Sequence, residues 1–193
     1  MANPPFIPAS TSRMFGPGES CEDAQPGDLV LVRHATLAAK GIRFFERLRV
    51  PREFCWTNHA AVVVAGGPEA TVAQAEARGV VLTPISGLDA VDYAVVNVTM
   101  TAAQRKAVAA FAAWSVGAGY GFLQIPADAF NAVTGLELSL GFGQRMVCST
   151  AAARALERSG AIFPKSAPTT TPAHLAMWFG VDAPLDLERS PRG

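Results

Sequence analysis

The stretch Asn58-His59-Ala60-Ala61-Val62-Val63-Val64-Ala65-Gly66-Gly67-Pro68, continued by Ala70-Thr71-Val72-Ala73-Gln74-Ala75-Glu76-Ala77, decides how this chain folds. The β-branched run from His59 to Val64 reads as a strand. Ala65-Gly66-Gly67-Pro68 is turn chemistry. Residues 70–77 alternate well enough for a second strand, with Val72, Gln74 and Glu76 on one face. The two make an antiparallel hairpin, in which positions symmetric about the turn lie opposite each other. His59 and Glu76 are such a pair.

Working outward from the hairpin, Gly79 ends the second strand and Val80–Pro84 reads as a third. Tyr93–Val98 is a fourth, and Leu29–Arg33, opened by the turn Pro26-Gly27-Asp28, is a buried fifth. Helices are expected over Thr36–Leu48, closed by Pro51, and from Thr101 to about Ser115, where Thr101 and Gln104 have capping-box spacing. A short helix is expected from Pro126 through Val133, and Gly135–Gly143 reads as irregular. Another helix is expected directly behind Cys148, ending at Ser159-Gly160, and a last one over Pro172–Phe179. The fold class is therefore α+β: a small, curved, mostly antiparallel sheet of about five strands with helices packed on one side. Residues 1–26, with five prolines, read as an extended arm, 27–180 as one domain and 181–193 as a loose tail.

The chain has 193 residues, half of them apolar, enough for one domain with a real core. Sixteen basic residues balance sixteen acidic ones. Nucleic acid and anionic membrane surfaces usually demand a basic excess, so neither is expected as a partner. No run approaches the ~18 apolar residues of a membrane span, and the N-terminus does not read as a signal peptide. A cytoplasmic protein is the expectation. Three cysteines with no paired spacing argue against a disulfide framework.

Chemistry is sought first at Cys148. Val147-Cys148-Ser149-Thr150-Ala151-Ala152-Ala153 places a thiol where a helix of small residues begins. A helix start favours negative charge, and the thiolate is the nucleophilic form of cysteine. The competing reading is a cysteine that simply packs. A thiol nucleophile needs a base, and the base needs an orienting group. Of His34, His59 and His174, His59 has the best context, polar at a strand's start beside small residues. Glu76, across the hairpin, would accept from one imidazole nitrogen and leave the other to face the thiol. Cys21 lies beside Glu22 and Asp23, whose charges oppose a thiolate. Cys55 and His59 are four residues apart, but two ligands without a second cluster are a weak metal signal. No metal or cofactor is expected.

These motifs, in their order, carry a resemblance. Pro-Gly-Asp-Leu-Val-Leu-Val at 26–32, Asn-His-Ala-Ala-Val-Val-Val at 58–64, Ala-Glu-Ala at 75–77 and Val-Cys-Ser-Thr at 147–150 resemble the circularly permuted, YiiX-like branch of the NlpC-type papain-like superfamily. The lecithin:retinol acyltransferase group is a more distant relative. The likeness covers about residues 26–178, and in this branch the histidine strand precedes the cysteine helix. It implies Cys148 as nucleophile, His59 as base and Glu76 as orienting group. Tyr120-Gly121-Phe122 resembles the family's Tyr-Asp-Phe-like motif, with glycine in place of the acid, which makes Tyr120 a candidate substrate-binding residue. Thr-Pro-Ala-His at 171–174 resembles a Thr-Pro-Ala-Asp segment and reads as structural.

The activity so implied is a cysteine hydrolase of amidase or peptidase type working through an acyl-enzyme. The oxyanion would be held by the Cys148 backbone N–H and a second donor. The substrate would be a small peptide, a cell-wall fragment or a lipid-like amide or ester. An acyltransferase, a lipid ester or amide hydrolase, and a non-catalytic binding module are the alternatives.

Overall fold

The structure, a computed structural model, describes residues 4–36, 43, 46, 47, 50–76, 79–117 and 142–184, those at 142–147 and 168 through their backbone alone. Its frame is one open antiparallel sheet of six strands: β1 (Ser10–Phe15), β2 (Leu29–Arg33), β3 (His59–Ala65), β4 (Thr71–Glu76), β5 (Gly79–Pro84) and β6 (Asp92–Val98), in the spatial order β1-β6-β2-β3-β4-β5. The described α-helices are α1 (Ala102–Trp114), α2 (Phe142–Leu156) and α3 (Pro172–Trp178). This is the α+β class expected from the sequence. None of the described helices is long and apolar enough to cross a membrane.

The sixth strand comes from the arm. Ser10–Phe15 pairs antiparallel with β6 along its whole length, Ser10 opposite Val98 and Phe15 opposite Tyr93. Its sequence hides it because it is an edge strand, mostly exposed, so no apolar alternation marks it. The rest of the arm is also tied down. Cys21 and Ala24 are buried, and the Cys21 N–H donates to the Tyr93 hydroxyl at 3.0 Å. Gly66, in the hairpin turn, lies against the arm so closely that a Cβ there would sit 2.5 Å from the Ala24 carbonyl oxygen.

Strand parity divides the core in two. Leu29 and Leu31 of β2, Ala60 and Val62 of β3, and Ala73 and Ala75 of β4 face the helices, packing with Cys148, Ala152 and Leu156 of α2 and Val108 of α1. The alanines on both surfaces let α2 lie close to β3 and β4. Val30, Val32, Ala61, Val63, Val72 and Tyr93 point the other way and are covered by Phe15 and Cys21 of the arm and by Ile85 and Leu88. Helices thus cover one face of the sheet, and the arm closes the other.

The N-terminus of α1 forms as its sequence predicts. The Thr101 side chain accepts from the Gln104 N–H, and Gln104 returns a bond to the Thr101 N–H at 2.8 Å. One turn on, Arg105 joins this helix to β2. Its guanidinium donates to Asp28 Oδ1 at 2.7 Å and to the Val98 carbonyl at 2.9 Å. Asp28 is fully buried, and burial raises its pKa despite Arg105 and the Gln25 N–H. At the far end α2 continues as a 3-10 turn, Glu157–Ser159, that stops at Gly160 with φ 90°. That glycine ends the helix where the sequence placed it.

The tail begins bound rather than loose. The Trp56 indole N–H donates to the Val181 carbonyl at 2.9 Å, and the Ala183 N–H to Glu53 at 2.8 Å. The helix expected over Pro126–Val133 lies outside the described residues, as does most of the one expected over Thr36–Leu48.

Candidate functional site

His59 opens β3, paired with Val32 of β2 and 5% exposed. The hydrogen bond that orients its ring comes from β4: Nε2 lies 2.9 Å from Gln74 Oε1. The Gln74 amide is itself fixed, because its Nε2 donates to Glu76 Oε1 at 3.1 Å and to the Thr83 hydroxyl at 3.0 Å. An amide oxygen only accepts, so this network assigns a proton to His59 Nε2. The hydrogen bond at Nε2 fixes the orientation of the ring.

The orienting contact expected from Glu76 is therefore made by Gln74. The hairpin register is as the symmetry argument has it: Ala61 faces Gln74, which carries His59 opposite Glu76 when extended two residues. The side chains meet on the diagonal instead, a reach that long side chains on one sheet face have. Glu76 is exposed at the end of β4 and acts on the imidazole only through the Gln74 amide. The available signal was a long amide enclosed by Val72, Ala73 and Ala75, since a buried amide must find partners.

Two further groups complete this end of the sheet. Asn58 is fully buried and grips the backbone of His34, accepting from its N–H at 3.1 Å and donating to its carbonyl at 2.9 Å. The His34 ring stands 5.3 Å from the His59 ring, centroid to centroid, at 56°. The Thr57 hydroxyl donates to the Val32 carbonyl and anchors the turn into β3.

Cys148 occupies a different place from the one expected. α2 begins at Phe142, so Cys148 lies six residues inside the helix. There its N–H belongs to the intrahelical ladder, and the field of the helix end has faded. The expected oxyanion donor and the expected thiolate activation at a helix start are both absent from this arrangement. Cys148 is 1% exposed and lines a small cavity with Val62, Ala73, Ala75 and Val80 of the sheet, Ala112 of α1 and Ser115 just beyond it. Those strand residues face the helices, whereas His59 shares the opposite face with Ala61 and Val63. The structure thus brings His59 together with Gln74, Glu76 and His34, and leaves Cys148 across the sheet. Parity is the physical reason: His59 is one residue out of step with Ala60 and Val62.

No disulfide joins the cysteines, and all three are buried. Burial, with a hydrogen bond to Asp23, raises the Cys21 thiol, and burial beside Glu46 pushes Cys55 up to about 11. His174 has a structural part. Its Nδ1 lies 2.9 Å from the Thr171 hydroxyl in the capping box that starts α3, and Nε2 lies 2.8 Å from Lys165 Nζ. Tyr120 lies outside the described residues. Among the described residues no three His, Cys, Asp or Glu side chains gather as a metal ion would need. Comparisons with models of known protein families, with curated proteins and with solved structures gave no match.

Proposed function

We propose that this chain is a cysteine-dependent hydrolase of the amidase or peptidase type, built on a circularly permuted papain-like plan. The observation that carries the reading is the buried His59 ring, oriented through Nε2 by Gln74 at 2.9 Å. The motif order supports it too, since the histidine strand precedes the cysteine helix in the resembling branch. In this reading His59 takes the Cys148 proton, the thiolate attacks an amide carbonyl of a small peptide or cell-wall fragment, the C–N bond breaks as the amine leaves with the proton from His59, and water then hydrolyses the acyl-enzyme to free the acid and the thiol. Gln74 replaces Glu76 as the orienting group.

Proton transfer needs the sulfur and the imidazole within hydrogen-bond reach. The proposal therefore includes a working state in which α2 begins at Ser149, releasing Cys148 to pass round the end of β3. The helix has a natural stopping point there. Ser149 Oγ donates to the Thr170 carbonyl at 2.6 Å, and Thr150 Oγ1 to the Ala167 carbonyl at 3.0 Å, so the helix from Ser149 onward is pinned. The turns before it contain Gly143 and have no acidic residue in their first turn to complement the dipole.

A second reading, a binding module without covalent chemistry, is favoured by the burial of Cys148 on the far face. The two separate in one experiment. Cell-wall peptides, acylated amines and lipid esters are offered to the wild type and to Cys148→Ala. Turnover that Cys148→Ala abolishes supports the hydrolase, and cleavage of esters alone would move the substrate to the lipid class. Binding without Cys148-dependent turnover supports the module.

A further inference from the structure

We propose that His34 is a positioning residue for His59, setting the proton occupancy of that imidazole through its own charge. The inference takes its functional meaning from the reading of His59 as a base, while the coupling itself stands on the geometry.

The two rings are 5.3 Å apart. The backbones that carry them are tied together: the side chain of Asn58, the residue before His59, is fully buried and bonds both the N–H and the C=O of His34. His59 is buried, whereas His34 is half-exposed. Burial penalises the charged form more at His59, so the pair takes its first proton at His34. A proton on His34 then opposes one on His59, and the pair titrates as a coupled unit.

From β4, Gln74 is neutral and Glu76 stands behind it. Thr83 of β5 is neutral. On β2 and β6, Arg33 lies 3.9 Å from Asp92, but by parity on the face opposite His59, and the Tyr93 hydroxyl is occupied with Cys21. Glu76 favours a proton on His59 through the amide, and His34 opposes it. The consequence is a base kept neutral, and able to accept a proton, at lower pH than burial beside Glu76 alone would set.

The test is a titration of the ring C2–H signals by NMR, with His174 as internal reference. In the wild type, His34 and His59 should show mutually dependent curves, each broader than a one-proton transition. His34→Gln removes the charge and should raise the His59 midpoint by about one pH unit, the size expected of like charges roughly 5 Å apart at a partly exposed site. His34→Lys, with a permanent charge, should lower it. A merely structural role for His34 would move both variants in the same direction. Independent one-proton curves in the wild type, or a His59 midpoint unmoved by His34→Gln, would overturn the proposal. No substrate is needed, so a failed coupling leaves the hydrolase reading standing, and a failed substrate panel leaves the coupling standing.

Discussion

Glu46 gives the most quantitative expectation. Its carboxyl is buried beneath the start of α3, where Oε1 accepts from the Ala173 N–H at 3.4 Å and the Thr171 side chain hydrogen-bonds to it. Oε2 is buried with no hydrogen-bond partner among the described residues. Burial outweighs these bonds and the charge of Arg43, and pushes the carboxyl from 4.5 to about 7. An acid raised in the folded state binds its proton more tightly there than in the unfolded chain. Its contribution is therefore complete below about 4.5 and is lost as pH rises through about 7. A gap of about 2.5 pH units at about 1.4 kcal/mol each corresponds to about 3 kcal/mol, most of it falling between about pH 5 and about pH 8.

Glu46→Gln keeps the shape and an acceptor for Ala173 but cannot ionise. Urea unfolding of both proteins across that range is the assay. The variant should match the wild type within about 1 kcal/mol at the acid end and exceed it by about 2 kcal/mol at the alkaline end. A stability difference that does not change with pH would refute the reasoning, since only the wild type carries the proton at this position.

Gln74→Ala should cost roughly 1–3 kcal/mol by stranding the His59, Glu76 and Thr83 groups it bonds, and should slow any Cys148-dependent turnover. Glu76→Gln, exposed at the strand end, should stay within about 0.5 kcal/mol of wild type in the same unfolding assay. Arg105→Met leaves the Asp28 carboxylate buried without its cation and should cost about 3–5 kcal/mol. The double change with Asp28→Asn should recover much of that, as a double-mutant cycle would measure.

The sheet was largely legible because its strands are β-branched runs between turns, and the register followed from symmetry about Gly67-Pro68. The capping box at Thr101 and the stop at Gly160 were legible for the same reason: each is a local rule with a specific residue requirement. β1 was not, because an exposed edge strand carries no alternation. At the site, sequence singled out His59 but not its partner. Opposition across a hairpin names a pair of positions, whereas which side chains meet depends on length and burial, and Gln74 rather than Glu76 has both. Local helix propensity in Ser149-Thr150-Ala151 suggested a start at Ser149. In the structure the helix extends back to Phe142, further than the propensity of that stretch indicates. Parity was the decisive omission, for one residue of phase decides whether His59 shares a face with Cys148.

The central claim, that Cys148 is a nucleophile served by His59, is tested most directly by alkylation rates resolved at each cysteine in the folded protein near neutral pH. Cys55, held up to about 11, is the internal reference for a buried, protonated thiol. The account predicts that Cys148 reacts faster than Cys55 and Cys21, and that His59→Ala slows Cys148 alone. Cys148 reacting no faster than Cys55, with His59→Ala without effect, would contradict it and leave Cys148 as a packing residue beneath β3 and β4.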